Sequence, residues 1–408
     1  MGDPAVSVVI PTYNRREELR QSLETLTAQE FPAKEFEVIV ADDGSSDDTA
    51  EVAASFDGPL RMKYVFQEDL GHRAAAARNM GARSATAPVL AFLDSGTLAG
   101  PGFVGGHAAA QSEPGRRTVL GYCYGYNAFR VEKWVPDSFG TASLSEVVRR
   151  NADEPLFRDI RHRDFDEVGF DLARLTSPWN YYYTMNCSVR AADFWAVGGF
   201  DEMFTSWGFE DTELGYRLYH DGVAITMSRD AWTVEVSESS GVTRRFYSQM
   251  RNARIFLEKF REPFVELLAD AVFSLELTTV QADSRTLARW TEQARELDVA
   301  AEIESAASEL PAGASVAVFG CGGSVPQALP PAALLDFDAA LLARATADGR
   351  HTGYHAIGLR TELAFGSVDA VIVTSRLSGL WPRYGERILA EAGRIGRRVL
   401  VTAVASSR

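Results

Sequence analysis

The sequence predicts an α/β protein with two domains joined by a helical linker. Short apolar runs rich in β-branched residues alternate with segments of helical periodicity in the first part of the chain. This alternation is typical of parallel strands connected by helices. A similar alternation begins again near residue 315. A chain of 408 residues, 46% of them hydrophobic, is long enough to bury two cores.

The elements of the first domain follow from the periodicity. Four strands are predicted, at residues 6–10, 38–41, 60–66 and 88–93. The helices between them end near residue 29, begin near residue 49 and span residues 71–84. Asn14 and Glu17 have capping-box spacing at the start of the first helix. Repeated strand–helix units imply parallel pairing with right-handed crossovers.

Acidic residues follow two of these strands where each strand ends. Asp42 and Asp43 follow the second strand, in FEVIVADDGSSDDT, and Asp94 follows the fourth. A solvated Asp-Gly turn would explain the first pair taken alone. In an open parallel sheet, however, ligands bind outside the carboxyl ends of the strands. Because the pattern recurs, it favours a ligand crevice lined by carboxylates.

Beyond Asp94 the periodicity is weaker. We predict a strand pair or hairpin at 118–129, an irregular insertion at 128–179, an ordered segment at 180–190 and a helix at 191–197. Glu210 and Asp211 then begin a helix. Carboxylates in a first helical turn are favoured by the helix dipole, so capping alone would explain them. Capping does not explain Trp207 and Gly208 immediately upstream.

Composition excludes several classes of partner. The formal net charge is -15 and no basic run occurs, which argues against nucleic acid or an anionic membrane as a partner. The three cysteines lie far apart and form no CxxC pair, so the sequence indicates neither a disulfide framework nor a zinc site. No apolar run reaches membrane-spanning length and no signal peptide is recognisable. We expect a cytoplasmic protein.

Five motifs in order carry a resemblance to a known family. They are VSVVIPTYNR, FEVIVADDGSSDDT, GHRAAAARNMG, VLAFLDSG and GGFDEMFTSWGFEDTELGYRL. Residues 6–240 resemble a family 2 glycosyltransferase of the GT-A fold, most closely the bacterial chondroitin-polymerase and galactosyltransferase-like type. The resemblance implies inverting transfer of a sugar from a nucleotide-sugar, UDP-linked by family precedent, to an acceptor hydroxyl.

The resemblance also implies roles on the donor side. Asp43 would bind the edge of the uracil ring, with Asp42 beside it, and Asp94 would lie near the ribose and the diphosphate. Arg78 would lie beside the nucleotide. The walls of the base pocket would be Pro11, Thr12 and Tyr13.

On the acceptor side, Asp211 matches the family's general base, which removes the acceptor proton as the oxygen attacks C1. Glu210 would orient sugar hydroxyls, and Trp207 would stack on the acceptor. An inverting single displacement needs one base and stabilisation of the leaving diphosphate, and no covalent nucleophile.

Two departures from the family pattern concern the metal. The Asp-x-Asp motif reads Asp-Ser-Gly from Asp94, so its second carboxylate is missing, and Glu235 stands in place of a metal-ligating histidine. Because Mg²⁺ is often held by one or two carboxylates plus substrate phosphates, we expect weakened Mg²⁺ or Mn²⁺ binding at Asp94 and Glu235. In the alternative, Arg244 or Arg245 neutralises the diphosphate without a metal.

The rest of the chain is predicted to form a helical linker at 242–310 and a small α/β domain at 311–408. The latter resembles a shortened class I methyltransferase-like Rossmann domain. It has a glycine turn after its first strand, and Asp336 after the second stands where a ribose would be held. Ser324 replaces the last glycine of the turn. Gly353, between His351 and His355, argues against a metal-binding histidine pair.

Three functions remain open from the sequence. The first is a glycosyltransferase acting once on a soluble acceptor such as a metabolite, a peptide or a glycan end. The second is a bifunctional glycosyl- and methyltransferase, against which the altered glycine turn argues. The third is a non-catalytic scaffold that binds nucleotide-sugars, against which the intact Glu210 and Asp211 argue. If the second domain methylates nothing, we expect it to serve in packing or in a homodimer.

Overall fold

The computed structural model describes residues 2–127, 135–235 and 242–402 of the chain. The chain divides into two compact units, Met1–Asn252 and Ala253–Arg408. Over the described residues the first unit contains a sheet of eight strands and the second a sheet of five. None of the helices within these ranges combines the length and the apolar character needed to cross a bilayer. The predicted α/β fold with a second sheet-containing domain is confirmed.

The first unit is built on a mixed sheet. Its strands are β1 (Val6–Thr12), β2 (Phe36–Asp42), β3 (Met62–Phe66), β4 (Val89–Leu93), β5 (Thr97–Ala99), β6 (Arg117–Tyr124), β7 (Asn186–Arg190) and β8 (Ala224–Glu235). They are ordered β3-β2-β1-β4-β7-β6-β8-β5. The first four are parallel, as predicted, whereas β7 is antiparallel to β4 and β6. The strand order reverses at β1, and open sheets bind ligands at such a point.

Nine α-helices accompany this sheet in the described ranges. They are α1 (Arg16–Thr27), α2 (Thr49–Ala54), α3 (Ala74–Ser84), α4 (Phe103–Ser112), α5 (Leu144–Asn151), α6 (His162–Glu167), α7 (Ala191–Ala196), α8 (Glu210–His220) and α9 (Val242–Lys259). The boundary between the two units falls within α9. Leu19, Leu23 and Leu26 of α1 pack in one core with the apolar residues of β1 and β2. The amphipathic pattern of α1 therefore buries its apolar face against the sheet.

The prediction of a capping box at Asn14 is wrong. Helix α1 begins at Arg16, and Asn14 has a left-handed backbone with φ 49°. Its side-chain oxygen accepts hydrogen bonds from the backbone N–H groups of Ser46 and Asp47, at 2.8 and 3.3 Å. Asparagine tolerates this backbone conformation better than most residues. Asn14 thus joins the loops after β1 and β2 rather than capping the helix.

The structure also corrects the segment after α4. Within the described part of residues 118–129 there is one strand, β6, and no hairpin, since β7 and β8 already pair with its two edges. Phe129 lies outside the described residues. The predicted irregular insertion, where it is described, contains the short helices α5 and α6. Short helices of six to eight residues give too few turns for a clear periodic signal in the sequence.

A buried ion pair holds the segment before α6 in place. Arg161 and Asp159 are both almost fully buried, and their side chains meet at 2.6 Å. Arg161 also donates to the carbonyl oxygens of Tyr181 and Gly121, at 3.0 and 3.1 Å. Asp159 accepts from the backbone N–H of Cys123 at 2.9 Å. These partners satisfy the pair, which would otherwise be costly to bury.

The second unit has a wholly parallel sheet. Its strands are β9 (Val316–Phe319), β10 (Ala332–Asp336), β11 (Thr352–His355), β12 (Val368–Val373) and β13 (Gly396–Val401). Their order is β11-β10-β9-β12-β13. The accompanying helices of four residues or more, within the described ranges, are α10 (Pro263–Phe273), α11 (Val280–Gln293), α12 (Ala300–Ser308), α13 (Ala339–Ala345) and α14 (Trp381–Ile395). The predicted second α/β region is confirmed.

The crevice at the carboxyl ends of β9 and β10 is filled by an arginine. Asp336 is fully buried, and its two carboxylate oxygens accept from the Arg376 guanidinium at 2.7 and 3.2 Å. The backbone N–H of Gly322 also donates to Asp336, at 2.8 Å. The carboxylate expected to face a ribose is therefore occupied by protein groups.

A second buried carboxylate binds a loop of this unit. Glu266 of α10 accepts hydrogen bonds from the backbone N–H groups of four consecutive residues, Ile357 to Arg360, at 2.6 to 3.2 Å. Leu267 of α10 and Leu287 of α11 belong to the same apolar core as Phe319 and Val371 of the sheet. Helices α10 and α11 thus pack as parts of the second unit.

Candidate active site

Asp43 lies where the carboxyl ends of β1, β2 and β3 meet. Its backbone N–H donates to the carbonyl oxygen of Thr12 at 2.9 Å. One carboxylate oxygen accepts from the Gln67 side chain at 2.6 Å, and the other accepts from the backbone N–H of Arg73 at 2.7 Å. Each oxygen of a carboxylate can accept more than one hydrogen bond. Asp43 is therefore held rigidly and keeps capacity for a ligand donor.

Asp42, next to it, is engaged within the protein. It is fully buried and accepts from the backbone N–H groups of Gly44 and Ser45, at 3.0 and 2.7 Å, and from the Tyr64 hydroxyl at 2.6 Å. Gly44 has φ 97°, and a Cβ there would lie 2.4 Å from the backbone nitrogen of Asp69. Only glycine fits this turn. Asp42 and Gly44 together set the shape of the loop that presents Asp43.

Pro11, Thr12 and Tyr13 follow one another at the end of β1. The Thr12 hydroxyl lies 3.5 Å from that of Ser95, on the loop after β4. Tyr13 is 44% exposed and donates its hydroxyl to Asp69 at 2.8 Å. The hydrogen bond to Asp69 and its charge raise the pKa of Tyr13, and the charge of Asp43 adds to the rise. The three residues thus border Asp43 and offer an accessible aromatic ring.

Arg78 of α3 joins Asp94 to Glu210. Its guanidinium is buried and donates to Asp94 at 2.8 Å and to Glu210 at 3.0 Å. The Asp94 side chain remains 40% exposed, whereas that of Glu210 is nearly buried. The second carboxylate oxygen of Glu210 is buried and accepts no hydrogen bond from the described residues. A buried acceptor without a partner is costly, and a ligand hydroxyl would satisfy it.

Asp211 adjoins this cluster at the start of α8. Its side chain is partly exposed, and its carboxylate accepts from the backbone N–H of Thr212 at 2.8 Å. Burial of the carboxylate raises the pKa of Asp211, and the charge of Glu210 raises it further, while Arg78 acts in the opposite direction. An accessible carboxylate with a raised pKa is a good proton acceptor near neutral pH.

The turn before α8 is strained. Gly208 and Phe209 have left-handed backbones, with φ 91° and 75°. Such a conformation is unfavourable for phenylalanine, and residues of this kind cluster at functional sites. Trp207, just upstream, is partly exposed, and the Arg245 guanidinium lies 5.5 Å from the centre of its ring. Trp207, Glu210 and Asp211 are therefore presented by one tightly bent segment.

Glu235 ends β8, and its backbone pairs with Thr97 of β5, three residues beyond Asp94. Burial raises the pKa of Tyr126, and the charge of Glu235 adds to that rise. Within residues 2–127, 135–235 and 242–402, no group of three or more His, Cys, Asp or Glu side chains is placed to hold a metal ion. Asp94 and Glu235 therefore belong to no such group within these ranges.

Comparison with known proteins agrees with this geometry. A family model described as glycosyl transferase family 2 matches residues 7–171, and one described as the N-terminal domain of galactosyltransferase matches residues 167–235. Validoxylamine A glucosyltransferase of Streptomyces hygroscopicus subsp. limoneus is 42% identical over 410 residues, which cover 97% of this chain and 90% of that protein. The chain belongs to glycosyltransferase family 2.

More distant similarities cover part of the chain. Chondroitin synthase of Escherichia coli is 31% identical to this glycosyltransferase over 224 residues, 53% of this chain and 32% of that protein. A solved structure of S. aureus TarS 1-349 in complex with UDP-GlcNAc has a TM-score of 0.46 and 19% identity, covering 66% of this chain and 71% of that chain. The predicted resemblance to family 2 enzymes, the chondroitin-synthesising ones among them, is confirmed.

Several residues around the site of this glycosyltransferase were not singled out from the sequence. The Gln67 side chain and the Arg73 backbone N–H donate to Asp43. Their positions at the two ends of the loop before α3 could have indicated them. The ring centres of Tyr126 and Tyr183 lie 5.9 Å apart. Burial raises the pKa of each, and the charge of Asp211 adds to the rise. The aromatic run NYYYTMN is the sequence signal from which Tyr183 could have been found. Asn252 of α9 has no signal in the sequence.

Proposed function

We propose that this glycosyltransferase moves glucose from a UDP-sugar to a hydroxyl of a small soluble acceptor, with inversion at C1. The name of its 42% identical relative, validoxylamine A glucosyltransferase, supports glucose as the sugar and validoxylamine A as the acceptor. The match covers 97% of this chain, including the second unit.

The observation that carries the proposal is the position of Asp211. A partly exposed carboxylate whose pKa is raised by burial and by Glu210 lies next to the Arg78–Asp94 pair. In the reaction, Asp211 takes the proton of the acceptor hydroxyl while the oxygen forms a bond to C1 and the bond from C1 to the diphosphate breaks. General bases of this kind contribute about 10²–10⁴-fold to the rate.

The donor would bind between the loops after β1 and β2. Asp43 accepts from the ring N–H of uracil, and the exposed ring of Tyr13 stacks on the base. Support comes from the remaining acceptor capacity of Asp43 and the accessibility of Tyr13. Pro11 and Thr12 complete the wall. Asp42 contributes by shaping the turn.

Glu210 would orient the transferred sugar, because its unpartnered oxygen needs a hydroxyl donor. Trp207 would provide a flat face for the acceptor. Arg78 would fix the positions of Glu210 and Asp94 by donating to both. Its charge would favour the ionised form of Asp211.

A divalent cation fits this site in part. The half-exposed Asp94 side chain, with Glu235 at the end of β8, where that strand pairs with Thr97, matches the one or two carboxylates with which Mg²⁺ is often held, the diphosphate providing the other ligands. Mg²⁺ or Mn²⁺ would neutralise the charge that develops on the diphosphate. The alternative, in which Arg244 or Arg245 neutralises the diphosphate without a metal, stays a prediction; the Arg245 guanidinium lies against the Trp207 ring.

The second unit would not bind a methyl-donor cofactor. Arg376 occupies both oxygens of Asp336, and the Arg344 guanidinium lies against Gly323 of the glycine turn. A cofactor ribose would have to displace a buried, bidentate ion pair. We propose a structural role for this unit, in packing or in a homodimer, which sedimentation of the full chain would test.

Activity is tested by incubating the protein with UDP-glucose, validoxylamine A and Mg²⁺ and measuring a mass gain of one hexosyl unit. ADP-glucose and GDP-glucose are the donor controls, and Asp211→Asn is the protein control. NMR of the product gives the anomeric configuration and so decides between inversion and retention. Absence of product with all three donors would reject the proposed reaction.

A further inference from the structure

One face of α9 packs on the segment that leads to the proposed base. Arg245, Gln249 and Asn252 are spaced four and three residues apart, which places them on the same side of a helix. Arg245 lies over the Trp207 ring, and a Cβ at Gly208 would contact the Gln249 side chain at 3.4 Å.

Asn252 makes four hydrogen bonds to this segment. Its side chain is fully buried, and its amide nitrogen donates to the carbonyl oxygens of Ser206, Trp207 and Gly208, at 3.0, 3.4 and 2.6 Å. Its amide oxygen accepts from the Ser206 hydroxyl at 3.0 Å. Three carbonyl groups around one nitrogen fix the orientation of the amide. Few other side chains could satisfy all four groups at once.

These contacts hold a turn that would not keep its shape unaided. Three successive carbonyl groups point to one side chain, and the chain passes through the left-handed residues Gly208 and Phe209 before α8 begins. A strained conformation persists only where its surroundings over-determine it. Glu210 and Asp211 are the first two residues of α8, so the turn determines where both carboxylates lie.

We propose that Asn252 is a positioning residue: it fixes the Ser206–Gly208 turn and thereby sets Asp211 and Trp207 for attack by the acceptor. The inference rests on the proposed function. Asn252 itself does not touch the substrate. A misplacement of about 1 Å costs on the order of 10²-fold in rate, so a lost Asn252 contact acts on turnover more than on donor binding.

The test compares Asn252→Asp, Asn252→Ala and Ser206→Ala in the full-length protein. Aspartate keeps the size but turns a carboxylate oxygen towards the three carbonyls. For both Asn252 variants we expect kcat/KM for the acceptor to fall about 10²-fold, while the dissociation constant of UDP changes less than twofold. The acid limb of the pH–rate profile should move to lower pH, because a loosened turn lets water reach Asp211 and burial is the first cause of its raised pKa.

Ser206→Ala removes one hydrogen bond and only one side-chain oxygen atom. It therefore tests the inference even if the Asn252 variants fail to fold. It should lower acceptor kcat/KM in the same direction, by about two- to tenfold. Tyr247→Ser, an exposed change on the same helix, is the matched control and should keep parental kinetics.

The inference is overturned if folded Asn252 variants keep acceptor kcat/KM within threefold of the parent, or if UDP affinity falls as much as acceptor kcat/KM. Parental kinetics of Ser206→Ala would overturn it where the Asn252 variants do not fold.

Asp211→Asn distinguishes failure of the role proposed for Asn252 from failure of the proposed function. If that variant is inactive while the Asn252 variants are normal, only the role of Asn252 fails; if that variant is active, the proposed function fails.

Discussion

Replacing Asp211 by asparagine removes the proton acceptor and leaves its surroundings nearly unchanged. The Asn side-chain oxygen can still accept from the backbone N–H of Thr212, as the carboxylate does at 2.8 Å, so the start of α8 should be preserved. We expect kcat to fall by about 10²–10⁴-fold, the usual contribution of a general base. The dissociation constant of UDP should stay within about twofold, because the role proposed for Asp211 is on the acceptor side.

The parent enzyme should show an acid limb governed by the same group. Burial and Glu210 raise the pKa of Asp211 to about 7. The base works in its ionised form, so activity is full above that pKa and is lost as the pH falls through it. One pH unit below the pKa about a tenth of the base is ionised, and kcat/KM should fall about tenfold.

The assay follows initial rates of hexosyl transfer across pH for the parent, Asp211→Asn and Asp221→Asn. Asp221 lies just beyond the other end of α8 and pairs with Arg116 there, so its variant is a matched control and should keep the parental profile. The reasoning is refuted if Asp211→Asn keeps a rate within tenfold of the parent. It is also refuted if the residual activity of that variant shows the same acid limb.

Four further predictions concern other parts of the chain. Asp43→Ala should weaken UDP binding by about 10–150-fold in calorimetry, since a hydrogen bond to a charged group is lost; unchanged affinity would contradict the donor assignment. Mn²⁺ should bind apo protein poorly and UDP-bound protein better, because the phosphates complete the shell; equal activity in excess chelator would favour a metal-free site. Arg161→Met should lower the free energy of unfolding in urea by about 3–5 kcal/mol, since Asp159 would stay buried without its partner; a loss below about 1 kcal/mol would contradict this. S-adenosylmethionine should give no binding heat, because Arg376 occupies Asp336; micromolar binding would contradict the closed crevice.

The parallel half of the first sheet could be predicted because its strands are uninterrupted apolar runs. β1, β2 and β4 are buried on both faces, which leaves an apolar run that is easy to recognise. The carboxylates at their ends were predictable for the same reason, since the position of a strand end fixes that of Asp43 and Asp94.

Features that depend on contacts between distant segments could not be predicted. Asn14 has the spacing of a helix cap, yet the loop after β2 uses its side chain instead. Asn252 lies 46 residues from Ser206, and a buried asparagine in an amphipathic helix looks like any solvated one in the sequence. Likewise, nothing local to Asp336 indicates that Arg376 fills its crevice.

Glu266 has a consequence for the exchange of modules between related enzymes. Its carboxylate takes four backbone N–H groups of a single loop, as a bound anion would, and α10 contributes apolar side chains to the same core. A chimera that begins its transplanted part at residue 311 would bring the loop without its carboxylate and would leave that core open. A recombination point at the boundary between Asn252 and Ala253 keeps Glu266 with the loop it holds. A cut at residue 311, chosen from sequence periodicity alone, would separate Glu266 from the loop that it binds.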